Sequence, residues 1–292
     1  MSPPIDRRLL LRGMGLVAAC AALSPSVATA AGDRLAFGAP AAFSFDGLRA
    51  LARRKAASPY APPPTPSAVL AELDYQAWGE IKFDTDHALF ADGPLPVTFF
   101  HLGTYFRDPV RIYAVDEGKA REVVYDQSYF HMPANSPARK LPEGVGFAGF
   151  RVQEPREGKL DWRTNDWVAF LGASYFRAIG ELRQYGLSAR AVAIDTAVFQ
   201  RPEEFPRFSQ VYIERPARGS DTITVCALLE GPSVTGACRF VMNRGAGVVM
   251  DVEQTLFLRR PVTRLGLAPL TSMYWYSETV KPTAIDWRPE VH

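Results

Sequence analysis

The chain has 292 residues, of which 47% are hydrophobic, and it carries 33 Lys and Arg residues against 31 Asp and Glu residues. This length and hydrophobic content are enough for one large domain or two ordinary domains with well-formed cores. Binding to nucleic acid depends on an excess of basic residues that neutralises phosphates, so the near balance of charge excludes a polynucleotide as the expected partner.

Residues 1–30 have the features of an export signal. Arg7 and Arg8 precede a short apolar run over residues 13–23, which is followed by Ala-Thr-Ala, a small-x-small cleavage signal. The run is too short to span a bilayer, which needs about 20 apolar residues. The arginine pair predicts the twin-arginine route into the periplasm and a mature protein without a transmembrane anchor. The alternative is a lipoprotein cleavage box that would leave Cys20 lipidated.

The next part of the chain is predicted to contain a few short helices. Apolar residues at helical spacing predict a helix over residues 43–57. Five prolines in residues 58–66 predict an extended connector. Ser67 is expected to cap a second short helix that ends near Trp78, and a further helix is predicted over residues 166–181.

Most of the remaining sequence reads as strands. Short runs rich in β-branched and aromatic residues, separated by Gly, Asp and Pro, are typical of strands. Six of them follow the last predicted helix, and this density indicates sheets packed on sheets. The runs cover residues 96–103, 109–116, 119–126, 191–199, 209–216, 222–229, 237–242, 247–260 and 270–277.

Two cysteines flank a predicted turn between strands. Cys226 and Cys238 lie at equal distances from Pro232, so they could face each other across an antiparallel pair and reach disulfide distance. The oxidising periplasm would permit the bond. The alternative is that they are two small core residues on one face of the sheet.

Four segments carry a family resemblance, and they are FLGASYFR at residues 170–177, YGLSAR at 185–190, IDTA at 194–197 and EEFPRF at 203–208. Their order and spacing closely resemble those of the periplasmic glucan biosynthesis proteins, the OpgG/OpgD (MdoG/MdoD) family. The resemblance extends from about Phe43 to His292. It implies a mainly β fold, a large antiparallel β-sandwich of the galactose-mutarotase type with a few short helices.

In the family this domain is followed by a small immunoglobulin-like domain. Residues 31–292 are therefore expected to form an incomplete glucan-binding sandwich domain, and the immunoglobulin-like domain of the family is expected to be absent. The resemblance implies an inverting, endo-acting β-1,2-glucan hydrolase that works in the synthesis of osmoregulated periplasmic glucans, although a chain truncated in this way is expected to be inactive by itself. The rival from another class is a non-catalytic glucan-binding scaffold that assists the membrane glucan synthase. A mutarotase-like enzyme acting on free sugars rests on fold analogy alone.

Glycoside cleavage generally needs two carboxyl groups that converge on the sugar. Asp195 lies among apolar neighbours in a predicted strand, which suits acid or base work, and Glu204 lies in a predicted loop before Phe205, where functional sites are common. These two are the candidates for the base. Glu290 is expected to border the cleft, because the resemblance implies a general acid just beyond His292. The alternatives are that Asp195 fixes the next loop by hydrogen bonds and that Glu203 and Glu204 form a solvated acidic turn.

Sugar rings present apolar faces, so glucan clefts are commonly lined by flat side chains with polar edges and by hydroxyl-binding groups. An aromatic residue in a strand can equally belong to the core. The four histidines are scattered, and HExxH and CxxC do not occur, so neither a metal nor a cofactor is expected. The predicted substrate-binding residues are Tyr175, Phe176, Arg177, Tyr185, Arg190, Glu203, Tyr274 and Trp275.

Overall fold

The computed structural model describes residues 35–156, 160–183 and 187–271. Within these ranges the fold is mainly β. Its α-helices are α1 (Phe45–Ala56), α2 (Ser67–Ala71) and α3 (Tyr75–Gly79). Its strands are β1 (Ala41–Ala42), β2 (Lys82–Phe83), β3 (Val97–Phe100), β4 (Arg111–Asp116), β5 (Lys119–Glu122), β6 (Phe130–His131), β7 (Gly149–Gln153), β8 (Asp166–Leu171), β9 (Tyr175–Ala178), β10 (Ser188–Arg190), β11 (Val192–Ile194), β12 (Arg207–Glu214), β13 (Thr222–Glu230), β14 (Val234–Arg244), β15 (Val248–Leu258), β16 (Leu265–Leu267) and β17 (Leu270–Thr271).

Two large sheets form the sandwich. The seven-stranded sheet has the order β1-β5-β4-β12-β13-β14-β15, and the six-stranded sheet has the order β17-β10-β9-β8-β7-β3. All neighbours pair antiparallel except β4 and β12. Aromatic rings join the inner faces, since Phe170 of the six-stranded sheet and Phe240 of the seven-stranded sheet have ring centroids 5.2 Å apart. The predicted antiparallel β-sandwich is confirmed.

Helix α1 covers the outer face of the seven-stranded sheet, and it lies within the predicted range. The Ser44 side chain accepts a hydrogen bond from the Gly47 N–H at 3.1 Å, which caps the amino end. Leu48 and Ala52 are buried on the side that faces the sheet, in a cluster with Leu228. Apolar spacing was therefore a sufficient signal for this element.

The second predicted helix is divided into two short helices. Asp74 interrupts it and caps α3, because its Oδ1 accepts a hydrogen bond from the Ala77 N–H at 2.8 Å. Leu73, next to this cap, is fully buried. An aspartate inside the expected helix thus starts a new helix instead of continuing the first.

The helix predicted over residues 166–181 is wrong, because this segment is the β8–β9 hairpin. Trp167 and Val168 are fully buried in β8, as suits residues with high strand propensity. Gly172 and Ala173 follow with φ values of 72° and 40°. These left-handed conformations are incompatible with a continuous helix and make the turn between the strands. Every predicted strand run overlaps an observed strand, and the run over residues 270–277 lies within the described residues only as far as Thr271.

The predicted disulfide between Cys226 and Cys238 is also wrong, since both are buried free thiols. In the β13–β14 ladder Cys226 pairs with Arg239, and Cys238 pairs with Ala227. A shift of one residue places the two side chains on opposite faces of the sheet. Cys238 faces the core between the sheets, whereas Cys226 lies under α1.

Candidate functional site

A concave site of about 490 Å³ lies at one end of the sandwich, beside the turn that joins β13 to β14. It brings together three of the predicted acidic residues. We call it the carboxylate pocket, and it is lined by Asp195, Arg201, Pro202, Glu203, Glu204, Pro232, Ser233, Arg260 and Pro261.

Asp195 follows β11 and ties two loops together at the pocket. Its Oδ1 accepts hydrogen bonds from the backbone N–H groups of Thr263 and Arg264, both at 2.9 Å. Its own N–H donates to the Arg264 carbonyl at 2.9 Å. Asp195 has a φ of 56°, a conformation that Asp adopts more readily than most residues. The carboxylate therefore ties the end of β11 to the segment after β15 rather than to its own following loop, and it also lines the pocket.

Glu204 is held by the turn between β13 and β14. Its Oε1 accepts a hydrogen bond from the Ser233 N–H at 2.9 Å, and its Oε2 lies 3.6 Å from Nη2 of Arg260. Gly231 permits this arrangement, because a Cβ at that position would lie 2.6 Å from Glu204 Oε1. The Glu204 side chain is 12% exposed, which is less than a solvated acidic turn would give.

Glu203 forms a polar cluster with Arg190. The Arg190 Nη1 lies 2.6 Å from Glu203 Oε1, which also accepts a hydrogen bond from Thr196 Oγ1 at 2.7 Å. The Arg190 guanidinium lies 5.5 Å from the ring centroid of Tyr175 and 5.1 Å from that of Phe205. Cation–π contacts of this kind fix the plane of the guanidinium. Two of the predicted sugar-binding residues, Tyr175 and Arg190, are thus in contact beside the carboxylates.

The other predicted binding residues are placed differently. Phe176 is buried, and its ring stacks on Phe170 at 5.4 Å in the core between the sheets, which is the alternative considered for aromatics in strands. Arg177 lies on the exposed side of β9. The remaining predicted residues lie outside the described part of the chain, and they are Tyr185, Tyr274, Trp275 and Glu290.

Sequence reasoning missed the cationic side of the pocket. Arg260 lies after β15, and it approaches Glu204 although 56 positions separate them in the chain (260 minus 204). Only the sheet register brings these residues together. The available signal was an arginine at the end of a long strand, immediately before Pro261.

The charges of the pocket are nearly balanced. Three carboxylates face the guanidinium groups of Arg201 and Arg260, and Arg190 pairs with Glu203 behind them. Such a site offers both hydrogen-bond donors and acceptors, which suits a neutral ligand with many hydroxyl groups. Among the residues that the structure describes, no group of three or more His, Cys, Asp and Glu side chains is arranged to hold a metal ion.

The fold and the pocket define an antiparallel β-sandwich protein with a concave site in which three carboxylates are flanked by arginines. The family model described as "Periplasmic glucan biosynthesis protein, MdoG" matches residues 43–292. The chain belongs to this family, and the family's description agrees with the periplasmic location predicted from the sequence. In the described part of the chain, no helix has the length and hydrophobicity that crossing a membrane requires.

Curated relatives agree with this assignment. The chain is 60% identical over 295 residues to "Glucans biosynthesis protein D 2" of Ralstonia nicotianae (strain ATCC BAA-1114 / GMI1000), covering 99% of this chain and 55% of that relative. It is 42% identical over 298 residues to "Glucans biosynthesis protein D" of Stenotrophomonas maltophilia (strain K279a), covering 99% of this chain and 54% of the relative. The chain therefore spans about half the length of these curated relatives.

Proposed function

We propose that this protein takes part in making osmoregulated periplasmic glucans by cleaving or trimming β-1,2-linked glucose backbones at the carboxylate pocket. The observation that carries the proposal is the convergence of Asp195, Glu203 and Glu204 on one concave site. The proposal includes export by the twin-arginine route and hydrolysis with inversion at the anomeric carbon.

Glu204 is the best candidate for the base within the pocket. Its Oε1 is fixed by the Ser233 N–H, while Oε2 is held only at 3.6 Å from Arg260 and can accept a proton from water. Inverting hydrolysis needs such a carboxylate opposite a proton-donating carboxyl group. Arg190 would hold Glu203 in place at the edge of the sugar site, Tyr175 is the proposed sugar contact beside it, and Glu290 is the remaining predicted catalytic carboxyl.

A non-catalytic scaffold is the second candidate, and a specific observation favours it. Asp195 Oδ1 and Glu203 Oε1 are both engaged in bonds within the protein. These bonds suit a rigid binding surface at least as well as a reacting one. In this form the protein would hold the growing glucan for the membrane glucan synthase.

The two functions are separated by incubating linear β-1,2-glucan with the protein expressed at full length from its own gene. Hydrolysis predicts shorter chains on chromatography, and Glu204→Gln should lower the rate by about 10²-fold or more. Glu80→Gln, an exposed glutamate outside the pocket, serves as the matched control and should keep full activity. Unchanged chain length together with retained binding would replace the hydrolase with the scaffold.

A further inference from the structure

The outer face of the seven-stranded sheet carries a second concave region. Side chains alternate between the two faces of a strand, so Arg111 and Tyr113 of β4 share this face with Gln210 and Tyr212 of β12, with which they pair. Helix α1 covers the sheet beside Tyr212 but leaves the neighbouring polar positions open.

Two cavities open on this face, with volumes of about 650 and 920 Å³. Arg111 lines both of them, so they meet at one side chain. We call them together the outer groove. It shares no lining residue with the carboxylate pocket. Ligand sites typically have volumes of about 300–1,000 Å³, and each cavity falls in that range.

The smaller cavity has a stiff apolar wall. Tyr60 and three prolines of the 58–66 connector form one side, and Pro109 and Pro142 form another. Proline fixes its own φ, so the wall loses little conformational freedom when a ligand binds. The Tyr60 hydroxyl group is protonated at neutral pH and can donate, and burial raises its pKa further above the ordinary value of 10.

The floor of the smaller cavity contains two buried charged residues. Glu230 is 8% exposed and Arg207 is 7% exposed. Glu230 accepts hydrogen bonds from Ser209 Oγ at 2.6 Å and from Lys55 Nζ at 3.0 Å. Arg207 donates to the carbonyl of Pro109. Both charges therefore already have partners within the protein.

Arg111 is paired with a carboxylate, since its Nε and Nη2 donate to Glu122 at 2.8 and 2.5 Å. Tyr113 and Tyr212 stack beside this pair with centroids 4.5 Å apart. The two cavities together are lined by three arginines and three glutamates, so the outer groove offers little net attraction to an anion or a cation. The proline wall and the Tyr60 ring, together with hydroxyl, amide and carboxylate groups of the lining, suit a neutral ligand that has apolar faces and many hydroxyl groups.

We propose that the outer groove is a second carbohydrate-binding site, which takes a neutral oligosaccharide independently of any hydrolysis at the carboxylate pocket. A protein with two such sites on different faces can hold one long glucan at two points, or two glucans at once. Linking two binding events on one polymer raises its apparent affinity.

The test is calorimetric titration of the full-length protein with a linear β-1,2-linked gluco-oligosaccharide. The wild type should bind two molecules per chain. Tyr60→Ala and Gln210→Ala should both weaken the same binding event, the one at the outer groove, by about tenfold, which corresponds to about 1.4 kcal/mol. Glu203→Gln should weaken only the other event. Tyr105→Ala removes a tyrosine that is 72% exposed and outside both sites, and should match the wild type.

Unfolding by urea shows which variants are folded, and Gln210→Ala is the milder of the two groove variants. Identical isotherms for wild type, Tyr60→Ala and Gln210→Ala would overturn the outer groove. A single binding event that only Glu203→Gln weakens would overturn the groove and leave the carboxylate pocket supported. A single binding event that only the groove variants weaken would support the outer groove and contradict binding at the carboxylate pocket. The absence of any binding would contradict both sites.

Discussion

Replacing Gly231 with alanine adds one Cβ atom next to the carboxylate of Glu204 in the carboxylate pocket. A Cβ at this position would lie 2.6 Å from Glu204 Oε1 and 3.2 Å from Pro206 Cβ. The Glu204 side chain can move, whereas Pro206 is part of a constrained backbone. Gly231→Ala is therefore expected to push the Glu204 carboxylate away from the Ser233 N–H, from which it accepts a hydrogen bond at 2.9 Å.

The magnitude follows from the hydrogen bond that is lost. Ser233 is 2% exposed, so its N–H would be left without an acceptor and largely without water. A hydrogen bond to a charged group contributes about 1.5–3 kcal/mol. The free energy of unfolding of Gly231→Ala should fall by about 2 kcal/mol. The same displacement should weaken glucan binding at the carboxylate pocket.

Urea denaturation measures this loss. Gly247→Ala is the matched control, because no atom lies within 4 Å of its added Cβ, and it should change stability by less than about 0.5 kcal/mol. In a Glu204→Ala background the hydrogen bond is already absent, so Gly231→Ala should cost less than about 1 kcal/mol there. An equal cost in both backgrounds would refute the reasoning and assign the effect to Pro206.

His101 is buried with Nδ1 2.8 Å from a backbone carbonyl and Nε2 2.9 Å from the Tyr125 hydroxyl. Burial lowers its pKa below the usual 6.5, so its contribution to stability is complete above about pH 6.5 and declines as the pH falls further. The urea midpoint should drop between about pH 7 and pH 5.5, and His101→Gln should reduce that drop; an unchanged drop would contradict this. Thiol titration of the denatured, unreduced protein should find both Cys226 and Cys238 free, and finding neither would show that they are bonded. Asp195→Ala should lower the free energy of unfolding by about 2–4 kcal/mol through its two lost backbone bonds, whereas Asp195→Asn should cost less than about 1 kcal/mol; equal losses would contradict the positioning role.

Local patterns predicted the elements whose signals are short-range. Helix α1 buries Leu48 and Ala52, and these positions are visible as apolar spacing in the sequence. The β8–β9 segment misled the same reasoning. Its apolar residues also fit a helix, and the left-handed conformation at Ala173 is set by the hairpin rather than by residue type.

The register of the β13–β14 pair also limited what the sequence could predict. The hairpin pairs Glu230 with Thr235, and in this register Cys226 pairs with Arg239. Cys238 is therefore one position away from the residue opposite Cys226. The difference of one position moves a side chain to the other face of the sheet. Sequence spacing can locate a turn to within a residue or two, but a disulfide prediction requires the register itself.

The same distinction between local and long-range signals explains why only part of the carboxylate pocket was predictable. Asp195, Glu203 and Glu204 lie within ten positions of one another, and the sequence drew attention to them together. Ser233 and Arg260 reach the pocket only through pairing of β13 with β14 and of β14 with β15. Long-range contacts of this kind determine what holds each carboxylate, and no local pattern records them.

Hydrolysis at the carboxylate pocket is tested most directly by proton NMR of linear β-1,2-glucan during digestion by the full-length protein. Inversion of a β-linkage predicts that new reducing ends appear first as the α-anomer and that Glu204→Gln produces them far more slowly. If the β-anomer appeared first, or if Glu204→Gln kept the wild-type rate, the inverting mechanism with Glu204 as base would be contradicted.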